Sequence, residues 1–383
     1  MISFASGRAF AQGIELVGWV LIARHLATSE FGQLMVAFLA CRYLGIVGDW
    51  GGAVRGPRDV AAASSAVSSL LSMRVRASLG LGLAYAVACV LFGHWPLACL
   101  GLVVVGRGIA RDWVALGRER GIRASLPGVM QGVGVLAVGL VRVPFVGYYA
   151  AGVGCAYFGA CLLSMALNRL APTTTAAKAR SGFPWLIMLG VADQVSASGD
   201  VFLLAALTST AVAGVYSAVY RIPNAWISVI GMLASASIPL SLRQLKGGPA
   251  TARMVWNRLA IGAAAGSVLL LLTPLLTRSV VTLFGSAYAS GAGPLGILLI
   301  ATAAITVSVP LQPLLVAQAR DRYLAAVTAA GMVVNVATNL ALIPFYGAMG
   351  AATATLASQV LVSVLVIAAA VPRRRRLRAG AAC

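Results

Sequence analysis

The chain is a succession of apolar stretches, each about 20 residues long, with most of its charge in the short connections between them. Hydrophobic residues make up 60% of its 383 residues and charged residues 10%, whereas charged residues are roughly 25% of an ordinary soluble domain. A helix of about 20 residues crosses the hydrocarbon core of a bilayer. Because lipid offers the backbone no hydrogen-bond partner, such stretches fold as helices. The sequence therefore predicts an all-α integral membrane protein.

The apolar stretches predict about 12 transmembrane helices. They lie near residues 8–26, 31–52, 74–95, 96–116, 125–143, 145–168, 183–207, 211–240, 255–277, 291–316, 323–344 and 348–371. The first lacks the short apolar core and cleavage site of a signal peptide, so we expect it to belong to the mature protein.

Basic residues concentrate in every second connection. The even-numbered connections hold Arg55, Arg58, Arg74, Arg76, Arg118, Arg120, Arg123, Arg169, Lys178, Arg180, Arg243, Lys246, Arg253, Arg258, Arg320 and Arg322. The odd-numbered ones hold only Arg24, Arg142 and Arg278. Since lysine and arginine favour the cytoplasmic side, both termini are predicted to be cytoplasmic. The net charge of +20 then suits contact with anionic membrane lipids, and we expect no nucleic acid as a partner.

Two short motifs recur in the two halves of the chain. Residues 143–147 (VPFVG) recur at 343–347 (IPFYG), an offset of 200 residues. The stretch leading to Gly32 likewise resembles the one leading to Gly214. Self-similarity of this kind indicates two homologous halves. With six spans in each, the halves would enter the membrane in the same direction, as parallel repeats.

A polar passage at residues 171–182 is the most linker-like part of the sequence. We therefore predict an N-terminal six-helix lobe over 1–170, a cytoplasmic linker over 171–182, a C-terminal lobe over 183–371 and a basic cytoplasmic tail over 372–383.

Several ionisable residues lie inside predicted spans, where they are costly and usually face a bundle interior or a water-filled cavity. They include Arg42, Arg107, Arg111 and Arg221 among the bases, and Glu15, Asp49, Asp193 and Asp200 among the acids. Helical spacing places Arg42 and Asp49 on one face, Asp193 and Asp200 on another, and Arg107 and Arg111 on a third. In the repeat alignment, Arg221 corresponds to a position one turn from Arg42.

Arginine stays charged at any working pH, and its planar fork matches phosphate oxygens. We therefore predict that Arg42, Arg107 and Arg221 bind an anionic head group, with pairing to carboxylates as the alternative, which we favour for Arg111. A carboxylate desolvated in a membrane binds protons more readily. Glu15 and Asp200, with Asp193 beside them, are thus candidates for coupling transport to a cation gradient, and structural pairing with arginines is the alternative for each.

Catalytic signatures are missing from the sequence. It has two histidines, six cysteines without a CxxC pair, and no GK[ST] phosphate loop. We expect no metal site, no cofactor and no catalytic residues, and hence no enzyme.

Five soft motifs carry a resemblance that covers nearly the whole chain. They are residues 7–15 (GRAFAQGIE), 23–32 (ARHLATSEFG), 48–51 (GDWG), 214–218 (GVYSA) and 220–223 (YRIP). In these the chain resembles the Wzx-type polysaccharide and O-antigen flippases of the multidrug/oligosaccharidyl-lipid/polysaccharide exporter superfamily. The resemblance implies two six-helix lobes around a V-shaped central cavity. It also implies movement of undecaprenyl-pyrophosphate-linked oligosaccharide across the bacterial cytoplasmic membrane by alternating access.

Two other functions are compatible with the sequence. A cation-coupled multidrug antiporter of the same superfamily would hold its cationic substrates with acids and aromatics, whereas the arginines favour an anion. A membrane-bound polysaccharide polymerase or glycosyltransferase would need a large external loop, which the short connections do not provide. The flippase hypothesis implies lipid-linked oligosaccharide and membrane lipids as partners, with the polysaccharide polymerase machinery as a further expected one.

Overall fold

The computed structural model describes residues 2–49, 51–52, 60, 66–118, 120–168, 183–245, 252–318 and 320–371. These residues form helices and turns and contain no strand. The predicted linker at 171–182 and tail at 372–383 lie outside the described residues, so the division into two lobes stays a prediction.

The first half of the chain contributes seven α-helices to the described residues. They are α1 (Ile2–His25), α2 (Thr28–Asp49), α3 (Ala66–Leu91), α4 (Gly101–Ile109), α5 (Asp112–Gly117), α6 (Gly121–Leu140) and α7 (Val146–Leu167). A 3-10 turn, Trp95–Leu100, leads into α4.

The second half contributes seven more. They are α8 (Phe183–Leu207), α9 (Thr210–Ala236), α10 (Ile238–Leu245), α11 (Ala252–Phe284), α12 (Ala292–Ser308), α13 (Gln312–Ala317) and α14 (Asp321–Ala370). The 3-10 turns Ser286–Gly291 and Val309–Leu311 flank α12.

Each predicted span falls on described helix, which confirms the all-helical membrane fold. Seven helical stretches of the described residues are long and apolar enough to cross a bilayer. The longest helix, α14, contains Gly347 with φ 53° and ψ −129°. A positive φ favours glycine because it has no Cβ. This kink separates the spans predicted at 323–344 and 348–371.

Two predicted spans are broken in the structure. In 96–116, Ala110 adopts ψ 136° and ends α4. In 291–316, a 3-10 turn containing Pro310 interrupts the helix. The breaks lie 200 residues apart, and so do the short helices α5 and α13 that follow them. Each short helix ends in the same way. Arg120 N donates to Ala115 O at 2.8 Å after α5, and Arg320 N donates to Leu315 O at 3.0 Å after α13.

The chain forms two compact units. The first comprises Met1–Arg221 with Val281–Ala289, and the second comprises Ile222–Val280 with Ser290–Cys383. In the first, α1 packs along α6, and α4 packs between α3 and α7. In the second, α12 packs against α14, and Val255, Leu311 and Val366 belong to one buried apolar cluster.

Helices α2 and α9 approach each other closely within the first unit, at the two glycines that the repeat alignment matches. A Cβ on Gly32 would lie 1.8 Å from the carbonyl oxygen of Thr210, and one on Gly214 would lie 2.1 Å from that of Thr28. Since Thr28 and Thr210 are equivalent in the same alignment, the contact is reciprocal, as at an isologous interface. Any side chain larger than hydrogen would separate the two backbones.

We expect Gly32→Ala and Gly214→Ala each to destabilise the protein by about 1–3 kcal/mol or more, because the added methyl group overlaps backbone atoms. Gly13→Ala, on α1, is the matched control, since its Cβ would have no neighbour within 4 Å. The midpoint of thermal unfolding in detergent, followed by fluorescence-detected size exclusion, measures the difference. If Gly32→Ala melts like Gly13→Ala, the close crossing is wrong.

Candidate functional site: an arginine-lined cavity

A cavity of about 370 Å³ lies within the first unit. Its walls come from α1, α2, α4, α6, α7 and α8 and from the break at Ala110. Its charged lining residues are Arg8, Arg42, Arg107, Asp49 and Asp112. Two of the three arginines predicted to bind the head group, Arg42 and Arg107, are therefore brought together here.

A buried ion pair forms the floor of this cavity. The carboxylate of Asp49 accepts a hydrogen bond from the guanidinium of Arg74, whose side chain is only 1% exposed. Arg74 also donates to the carbonyl oxygen of Arg107 at 3.0 Å and lies 5.2 Å from the ring centroid of Trp113. The sequence analysis assigned Arg74 to a cytoplasmic connection. That assignment is wrong: it lies inside α3, where a carboxylate, a carbonyl and an aromatic face replace its water.

Arg107 shares the same carboxylate from the other side. Its Nε lies 3.9 Å from Asp49 Oδ1, and its side chain is 45% exposed. Because Arg74 already neutralises Asp49, the charge of Arg107 is left to the cavity. Arg42 is also exposed and lies two turns before Asp49 on α2, so the cavity holds arginines on two neighbouring helices.

The predicted pairing of Arg107 and Arg111 on one helix face does not occur. The helix ends at Ile109, and the extended conformation of Ala110 turns the chain before Arg111. Arg111 is not among the residues that line the cavity. Its backbone amide donates to Ser164 Oγ at 2.9 Å, which anchors the break to α7.

Glu15 lies one layer behind the cavity wall. Its carboxylate accepts hydrogen bonds from Trp19 Nε1 at 3.1 Å, Gln131 Nε2 at 2.9 Å and the Tyr157 hydroxyl at 2.7 Å. Gln131 and Tyr157 themselves line the cavity. Two of these three donors, Gln131 and Tyr157, connect the carboxylate to the space where a ligand would lie.

Arg221 is the third arginine that was predicted to bind the head group. It is not a lining residue of this cavity. Its guanidinium carbon lies 3.9 Å from the ring centroid of Trp19, and Nη2 lies 2.8 Å from Met35 Sδ. Two turns before it on α9, Gly214 brings that helix against α2, and this directs the arginine onto α1 and α2. Arg221 thus interacts electrostatically with Glu15 through the layer behind the wall.

Of the remaining predicted acids, Asp200 is not among the described residues that line this cavity. Asp200 is buried and accepts hydrogen bonds from the Tyr216 hydroxyl and from the backbone amide of Val201. Asp193 lies in α8, but its side chain is outside the described part of the chain. Their proposed role in ion coupling stays a prediction.

Sequence reasoning missed Arg8, Gln131 and Tyr157 as lining residues. Arg8 stands at the start of a span, where an arginine usually extends to the membrane surface. No sequence motif marks Gln131 or Tyr157, and only three-dimensional packing identifies them. In the described residues, no cluster of histidine, cysteine or acidic side chains could hold a metal ion.

The fold resembles those of several solved transporters. An inward-facing multidrug resistance MATE family transporter of the MOP superfamily matches with a TM-score of 0.68 at 13% identity, over 97% of this chain and 95% of its own. The lipid II flippase MurJ in an inward closed conformation matches with a TM-score of 0.68 at 12% identity, over 96% and 87%. A MOP superfamily transporter from Pyrococcus furiosus, described as having a binding pocket of reverse polarity, matches with a TM-score of 0.64 at 12% identity, over 99% and 95%.

The chain has the fold of the MOP superfamily transporters. No family model and no curated protein match its sequence. At identities this low the likeness concerns the fold, which MATE transporters and MurJ share, and the site itself must indicate the substrate.

Asp49→Asn should destabilise the protein by about 3–5 kcal/mol, because it leaves the buried charge of Arg74 without a counter-charge. Adding Arg74→Gln to the same chain should recover much of the loss, since the buried charge is then removed as well. Asp112→Asn is the matched control, because it neutralises another cavity carboxylate without unpairing Arg74. Thermal unfolding of wild type, Asp49→Asn, Arg74→Gln and the double variant measures the cycle. Equal stability of Asp49→Asn and wild type would contradict the buried pair.

Proposed function

We propose that this protein is a flippase that moves undecaprenyl-pyrophosphate-linked oligosaccharide across the bacterial cytoplasmic membrane by alternating access, for polysaccharide or O-antigen export. In this proposal both termini are cytoplasmic, and the cavity of the first unit receives the pyrophosphate and acidic sugars. The polyprenyl chain stays in the surrounding lipid.

The charge balance of the cavity is the observation that supports this proposal. Asp49 is neutralised by Arg74, and Glu15 and Arg221 oppose one another behind the wall. Among the described lining residues, the arginines Arg8, Arg42 and Arg107 then outnumber the one remaining acid, Asp112. A cavity with an excess of arginine attracts an anion, and a guanidinium can bond two phosphate oxygens at once.

The fold suits either of two transporter types, since a MATE multidrug transporter and the lipid II flippase MurJ both share it. A multidrug antiporter would need a cavity that attracts cations. The excess of arginine opposes that function, so we rank the antiporter second. MurJ, by name, flips a lipid-linked substrate, which supports a substrate of that general class.

Glu15 is the better placed of the two ion-coupling candidates. Its hydrogen bonds with Gln131 and Tyr157 connect it to the cavity wall. Protonation of Glu15 would therefore change the hydrogen-bonding groups that these two side chains present to a ligand. Asp200 accepts a hydrogen bond from Tyr216, and neither residue is among the described residues that line the cavity.

Arginine variants test the proposal. We expect Arg42→Ala and Arg107→Ala to reduce export by about 10-fold or more, the size expected when a charge-assisted contact is lost. The lysine variants should retain part of it, because lysine keeps the charge but not the fork. Arg221→Ala should also impair export, through Trp19 and Glu15, and Arg221→Lys should do so less because it still stacks on the indole.

The measurement is surface glycan exported by a strain that lacks the native gene, with the membrane abundance of each variant determined alongside. Arg24→Ala, an exposed arginine outside the cavity, is the matched control. Full export by both cavity alanine variants at normal abundance would refute the assignment of this cavity to an anionic head group.

A further inference from the structure

A second cavity of about 370 Å³ lies within the second unit, between the end of α9, α10, the start of α11 and the break at Pro310. Its rim is apolar and exposed, with Leu233 at 58% and Ile261 at 64% exposure. Its polar lining includes the side chains of Arg258, Asn257 and Gln244. The cavity is thus an apolar groove, and Arg258 is the one cation among the described residues that line it.

Neutral acceptors hold Arg258 in this groove. Its Nη1 donates to the carbonyl oxygen of Pro310 at 3.0 Å and to Ser237 Oγ at 3.4 Å, and its Nη2 donates to Ser241 Oγ at 2.9 Å. These bonds orient the guanidinium and cap the carbonyl freed at the helix break. They leave its positive charge uncompensated.

Arg258 has a counterpart in the first unit. Arg74 Nη1 points at the carbonyl oxygen of Ala110 at 3.5 Å, and Ala110 lies 200 residues before Pro310 at the equivalent helix break. Asp49 neutralises Arg74. The second unit, in contrast, contains a single acidic residue by sequence, Asp321, and no described carboxylate forms an ion pair with Arg258.

We propose that the groove binds an anionic phospholipid of the membrane. Its phosphodiester lies at Arg258, within reach of Asn257 and Gln244, and one acyl chain lies along Ile230, Leu233 and Ile261. The lipid phosphate supplies a counter-charge to Arg258, as the carboxylate of Asp49 does to Arg74 within the protein.

Two observations favour a phospholipid as the occupant. The one cation among the described lining residues matches the single negative charge of a phosphodiester. The exposed leucine and isoleucine of the rim suit the hydrocarbon of the bilayer, from which an acyl chain can enter sideways. The groove volume also lies in the range of ligand sites, about 300–1,000 Å³.

Native mass spectrometry of the purified full-length protein tests this proposal. Phosphatidylglycerol and phosphatidylcholine with the same acyl chains are titrated separately, and the affinity for the first bound lipid is measured. Wild type should bind phosphatidylglycerol about 10-fold more tightly than phosphatidylcholine, as expected for a charge-assisted contact. Arg258→Gln should abolish this preference, while Arg253→Gln, an exposed arginine five residues earlier on the same helix, should keep it.

Arg258 also caps a helix break, so its variant could lose stability. Ala265→Phe provides a second test, because it fills the groove and leaves Arg258 and its partners unchanged. In this variant the affinity for the first bound phosphatidylglycerol should also fall by about 10-fold. Equal affinity of wild type for the two lipids would overturn the proposal, and so would full preference retained by Ala265→Phe.

Discussion

The buried ion pair between Asp49 and Arg74 is the interaction on which the first unit depends. A single charge in a helix bundle is costly, whereas a pair with further hydrogen bonds can be accommodated. Asp49 ends α2, Arg74 lies within α3, and the guanidinium also binds the last turn of α4 through Arg107 O. Three helices are therefore fixed around one carboxylate, and the arginines on two of them are directed into the cavity.

The cost of an unpaired buried charge also explains the contacts among the side chains behind the cavity wall. Glu15, Trp19 and Arg221 come from α1 and α9 and partner each other by hydrogen bonding and by cation–π stacking. These contacts satisfy charges that would otherwise be costly. The polarity of the cavity is then set by the described residues that remain, mainly arginines. This polarity supports the proposed anion site within a fold shared by transporters of different substrates.

Much of the fold could be predicted from the sequence, because length and hydropathy alone determine where a helix crosses a bilayer. The predicted span 183–207 coincides with α8, and the gap between 344 and 348 contains the kink at Gly347. The break at Ala110 could not be predicted, because no proline or glycine marks the residue that turns the chain. The equivalent break near Pro310 is marked by that proline. The offset of 200 residues between the halves could have indicated the break at Ala110 from it.

The site was harder to predict than the spans. Arg42 and Arg107 were noticed because an arginine in mid-span needs a cavity or a partner, and both line the cavity. Arg74 was misassigned, since an arginine near a span end can reach the surface or turn inward, and its partner Asp49 is on another helix. The position of Arg221 depends on the close approach of α2 and α9 at Gly32 and Gly214, which spacing along one helix cannot reveal.

The most direct test of the account is the sign of the charge that the wild-type protein binds. Equilibrium binding of an undecaprenyl-pyrophosphate-linked sugar to the purified protein can be compared with binding of the uncharged polyprenol and of a lipophilic cation. The account predicts saturable binding of the pyrophosphate lipid that weakens as salt is raised, and little binding of the other two. Tight binding of the cation, with none of the pyrophosphate lipid, would contradict it.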